Sequence, residues 1–131
     1  MTSETKLPMT RSWDEIEARY REPVDASVSV RGMLRLVEQI KGSTYARALH
    51  AWTSMFDLCI VQIPCTYPFD GPYLRISPRF DGTIEFRYID TPFESKQWHR
   101  VVKEEEAFQR LERFMDQLHW VGREKKRDAA S

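Results

Sequence analysis

Between residues 83 and 90, Ile84, Phe86 and Tyr88 alternate with Glu85 and Arg87. A two-residue period of this kind marks a strand with one buried and one wet face. Just ahead of it, residues 73–77 put Leu74 and Ile76 on a common side. The intervening Pro78-Arg79-Phe80-Asp81-Gly82 supplies a turn, with Gly82 suited to a positive φ. Strands joined by so short a connection run antiparallel. This hairpin constrains the chain most, because it fixes which side chains must find cover.

The flanking segments extend the pattern. Leu58, Cys59, Ile60, Val61 and Ile63 predict a buried strand over 57–63. The loop 64–72, PCTYPFDGP, carries three prolines and cannot continue a central strand. Residues 97–102 predict a further strand, with Trp98, Arg100 and Val102 on one side. The stretch 43–53 fits either a helix through Tyr45, Leu49, Trp52 and Phe56 or an edge strand. A strand is expected there, because a strongly β segment follows.

Helical spacing governs the two ends. Ser12 is placed to cap a helix with Asp14 and Glu15 in its first turn, and Trp13, Ile16 and Tyr20 line one stripe before Pro23 ends it. Val30, Met33, Leu34, Val37 and Ile40 predict a second helix over 29–41, with Gly42 at a left-handed C-terminal cap. Phe108, Leu111, Met115 and Leu118, widened by Ala107 and Phe114, predict a third over 104–120, and Glu104, Glu105 and Glu106 suit its positive end.

The expected fold class is therefore α+β. It is an antiparallel β-meander of three to five strands, with N-terminal helices and a long C-terminal helix packed on one face. Residues 1–11 are expected to be disordered, 12–121 to form one domain, and 122–131 to be a charged, frayed tail. A chain of 131 residues that is 41% hydrophobic and 12% aromatic has material for one core without metals or disulfides.

Charge and cysteine content narrow the function. Lys plus Arg and Asp plus Glu both number 20, which argues against a nucleic-acid or membrane-surface protein. No apolar run approaches the roughly 20 residues of a membrane-spanning helix. The opening MTSETKLPMTRS has no apolar stretch of a secretory signal. With two cysteines, Cys59 and Cys65, a cytoplasmic chain with reduced thiols is the expectation.

Motifs with chemical meaning are sparse. Lys41-Gly42-Ser43-Thr44 shares its residues with the end of a phosphate-binding loop, but a helix precedes it and the upstream glycine is missing. It is read as a helix end. Cys59, Cys65 and His50 are too few for a zinc site, so no metal and no cofactor is expected. His50, Asp57 and Cys65 are candidates for nucleophilic chemistry only if the fold brings them within hydrogen-bond reach. No catalytic residue is assigned.

Two surfaces remain. Parity puts Tyr73, Arg75, Glu85 and Arg87 on the outer face of the sheet, with His99 joining from the next strand. That face suits an anionic ligand or an acidic partner; the bland alternative is a solvated face of weak ion pairs. In the proline-rich loop, Tyr67 and Phe69 either project as partner anchors or fold back over one end of the core. Arg123, Lys125, Lys126 and Arg127 form a short basic run in the tail, diluted by Glu124 and Asp128.

The expected function is a non-enzymatic protein-binding module that engages another protein or its own copy. The first alternative is a small ligand-binding domain or enzyme that uses the polar sheet face or the His50, Asp57 and Cys65 region. The second is a weak nucleic-acid accessory protein acting through the basic tail.

Overall fold

A computed structural model describes residues 9–22, 28–66, 69, 71–91 and 93–120. Ser12 opens α1 (Trp13–Arg21) through a capping box: its Oγ accepts from the Glu15 amide, and the Glu15 carboxylate accepts from the Ser12 amide. Ile16 and Tyr20 on this helix are buried. Along α2 (Val28–Lys41), Val30, Met33, Leu34, Val37 and Ile40 face inward as their spacing predicts, and Leu36 is buried with them. Leu36 was outside the expected stripe because α2 is covered on a second side, the one on which Gly32, a turn earlier, meets the Glu104 side chain.

The segment 43–53 divides into two elements where one strand was expected. A single helical turn, α3 (Tyr45–Ala48), is followed by β1 (His50–Ser54). Gly42 also departs from expectation, since the positive-φ glycine among the described residues is Gly82, at φ 86°. The chain stays right-handed beyond α2. Its end is closed by the Gly42 amide on the Glu38 carbonyl at 3.0 Å and by the Ser43 hydroxyl, which donates to the Ile40 carbonyl and accepts from the Tyr45 amide. No left-handed residue is needed where one helix runs so directly into the next.

Five antiparallel strands follow in sequence order as one open sheet: β1, β2 (Asp57–Val61), β3 (Tyr73–Pro78), β4 (Thr83–Ile89) and β5 (Trp98–Lys103). β2 stops at Val61, two residues earlier than expected, and Ile63 is 70% exposed. At the β1 edge the Arg11 amide donates to the Ala51 carbonyl at 2.8 Å, and the Met9 amide to the Cys65 carbonyl at 3.0 Å. Hydrogen-bonded structure thus begins before residue 12, while residues 1–8 and 121–131 lie outside the described residues.

Leu58, Ile60, Leu74, Ile76, Ile84 and Phe86 point to one side of the sheet and are fully buried. They share a core with side chains of α1, α2, α3 and α4 (Ala107–Leu118). A 3-10 turn, Glu104–Glu106, leads into α4, and His119 closes it at φ 58°. The His119 amide donates to Asp116 and the Trp120 amide to Met115, as in a Schellman closure. The buried side of α4 is Ala107, Arg110, Leu111, Phe114 and Met115. Phe108 and Leu118 are only partly covered, so the helix is rolled from its expected stripe toward β5. No described helix is long and apolar enough to cross a membrane.

Two stability predictions follow from this packing. Leu111 exposes no surface, so Leu111→Ala should cost about 2–5 kcal/mol in denaturant unfolding; a loss under ~0.5 kcal/mol, typical of a surface site, would contradict it. At Gly32 in α2, an added Cβ would lie 2.9 Å from the Glu104 Cβ and 2.7 Å from its Oε2. Gly32→Ala should therefore destabilise, although alanine favours a helix by about 1 kcal/mol over glycine. A stabilised variant would mean that the Glu104 turn does not press on α2.

Candidate functional site

The residues left over by the core define the opposite face. Because side chains alternate, the residues on either side of a core residue in its own strand point outward. Register aligns them in rows across all five strands. Trp52, Cys59, Arg75, Arg87 and His99 form one row. Asp57, Ser77, Glu85 and Val101 fall in the next row toward the β1–β2 turn. The four α-helices contribute their side chains to the core on the other side.

This outer face is closed at one margin and open at the other. Cys59 and Val61 on β2 are buried, at 0% and 2% exposure. Nearby, the Trp52 ring meets the Tyr73 ring at 5.3 Å between centroids and the Phe69 ring at 6.0 Å, edge to face. Toward β5 the face opens, and the His99 side chain is 64% exposed.

Its charges are tied in place. Arg75 Nε donates to Asp57 Oδ2 at 2.6 Å, and Arg75 Nη1 lies 3.5 Å from the Tyr73 hydroxyl. Burial works against the Arg75 charge, but the hydrogen bond to Asp57, the neighbouring Cys59 and the Tyr73 hydroxyl together outweigh it and hold its pKa above the usual arginine value. Glu85 is the hub of the open part: Arg87 Nη2 lies 3.3 Å from its carboxylate, His99 Nδ1 3.8 Å and Arg79 Nη1 3.9 Å. Arg75 and Arg87 are direct cross-strand neighbours. Two like charges at that spacing repel, which the flanking Asp57 and Glu85 offset.

Tyr73, Arg75, Glu85, Arg87 and His99 are thus gathered on one face, as parity predicted. Phe69 is half-buried against Trp52, and Tyr67 lies outside the described residues, as does the basic run Arg123, Lys125, Lys126 and Arg127. His50, Asp57 and Cys65 are not brought together. His50 pairs with Val61 and Ser54 with Asp57, so His50 and Asp57 sit at opposite ends of a hairpin, about 13 Å apart at strand spacing. Asp57 is engaged by Arg75 instead. No cluster of three or more potential metal ligands occurs among the described residues. Trp52 was missed as a member of the outer face because 43–53 reads ambiguously between helix and strand.

Comparison with protein-family models, curated proteins and solved structures yields no match.

The two thiols should differ in reactivity. Burial pushes the Cys59 pKa up to about 12, with Arg75 opposing and Asp57 reinforcing the shift. Cys65 is partly exposed, with burial raising its pKa as well. Alkylation of the native protein near pH 8, followed by peptide mass mapping, should modify Cys65 well before Cys59. Equal rates would show that β2 is not covered on its outer side.

Proposed function

We propose that the chain is a non-enzymatic binding module that holds a partner protein against the helix-free face of its sheet. The observation that carries this reading is the pair of neighbouring arginines, Arg75 and Arg87, fixed on that face by Asp57 and Glu85. Arginines held by carboxylates keep their guanidinium planes oriented, so less rotamer freedom is lost when a partner arrives. Four cations, Arg75, Arg79, Arg87 and Lys103, stand with three carboxylates, Asp57, Asp81 and Glu85, in this region. That excess favours an acidic partner surface. At the turn end, Phe80 is 97% exposed and Met55 is 81% exposed, and such side chains are ready anchors beside a polar patch. Two free cysteines are consistent with a cytoplasmic setting.

The test begins with sedimentation of the wild type, which identifies a second copy of the chain as the partner or excludes it. A pull-down then compares wild type with the variant Arg75→Ala/Arg87→Ala, and circular dichroism checks that the fold survives. Partners retained by wild type should be lost from the folded double variant, and Phe80→Ala should weaken their capture. Identical capture by both proteins would remove this face from the account.

A further inference from the structure

We infer that the seam between α4 and the free edge of the sheet at β5 is a binding site for a phosphate-class dianion, held by Arg100, Arg110 and Arg113 beside the Trp98 ring. This site is separate from the partner face. Arg100 pairs in register with the core residue Phe86, whereas His99 pairs with Arg87 on the outer side.

The seam is built around Arg110. This residue is 9% exposed, the one charged residue in the buried set of the described chain. Its Nε is buried and has no hydrogen-bond partner among the described residues, and Nη2 reaches Gln117 Oε1 only at 3.5 Å. A buried guanidinium with an orphaned donor costs free energy unless an acceptor arrives. No ion pair to Arg100, Arg110 or Arg113 supplies one among the described residues.

The surroundings add charge of the same sign. The Arg110 guanidinium lies 5.8 Å from the Trp98 ring centre and that of Arg100 lies 6.0 Å from it. Phe114 fixes the indole, at 4.4 Å between centroids. Arg113 stands three residues on from Arg110, on a neighbouring position of α4, and burial, Arg100 and then Arg113 all lower the Arg110 pKa. Stacking on Trp98 offsets part of the cost, but it satisfies no N–H donor. A tetrahedral oxyanion does both, since its several oxygens accept from more than one guanidinium while its two charges oppose three cations. A single carboxylate brings half that charge.

The probe is inorganic phosphate, titrated into the full chain at constant ionic strength with chloride as the balancing ion, with sodium acetate in a parallel series. Phosphate should shift the Arg110 Nε–H and Trp98 indole N–H resonances saturably and bind more tightly than acetate. Arg100 and Arg113 are exposed, so Arg100→Ala/Arg113→Ala should stay folded and weaken phosphate binding roughly tenfold or more. Arg110→Lys, which keeps the charge but loses the fork, should weaken it too. Tighter binding of a nucleoside monophosphate than of free phosphate would support the site and assign it a small metabolite. Tighter binding of a phosphoserine peptide would support it with a protein source. Absence of saturable shifts, acetate binding as tight as phosphate, or undiminished binding by the double variant would each overturn the proposal.

Discussion

Ile76 on β3 stands opposite Phe86 on β4, Leu74 stands opposite Tyr88, and Leu74, Ile76 and Phe86 expose no surface. Each such side chain contributes about 1.5–3 kcal/mol by leaving water. The hairpin can keep this burial in one register only. A slip by a single residue would send Arg75, Glu85 and Arg87 into the core and the apolar set into solvent. Gly82 at φ 86° sets that register from the turn, and β2 and β5 inherit it from the ladders they form with β3 and β4. The helices then have one apolar face to cover, and they cover it.

What the helices leave behind follows from the same alternation. Five strands with an odd–even division produce a second face whose composition is what the core did not need: Arg75, Arg87 and Lys103, Asp57 and Glu85, His50 and His99, and the Trp52 and Tyr73 rings. Burial of Cys59 and Val61 makes that face asymmetric, with a closed side at β2 and an open side at β5. The functional reading depends on that asymmetry, because an open, charge-ordered margin is where another molecule has room to dock.

The legible parts of the fold were those where one period served one surface. β3 and β4 each bury one side of a strict two-residue alternation, the final helix carries a long apolar repeat, and parity alone placed Arg75, Glu85, Arg87 and His99 together. Residues 43–53 were not legible, because Tyr45, Leu49 and Ala51 join the core from a helical turn, its cap and a strand in succession. Gly42 misled for a related reason: glycine after a helix suggests a left-handed cap, but the next helical turn begins too soon to need one. Arg110 left no signal. A lone arginine in an amphipathic helix reads as solvent-facing, and its burial depends on Trp98, supplied by a strand twelve residues earlier.

One face of the sheet is sealed by helices, and the other opens to solvent toward β5. Solvent paramagnetic relaxation of side-chain methyl groups, induced by a soluble gadolinium chelate, measures this directly. Ile76 and Ile84 are fully buried, whereas Val101 is 42% exposed and Ile89 lies on the outer side. The Ile76 and Ile84 methyls should relax slowly, with Val101 fast and Ile89 between them. Equal relaxation of Ile84 and Val101, or protection of Val101 and Ile89 to the level of Ile76, would contradict the two-faced sheet and the site built on it.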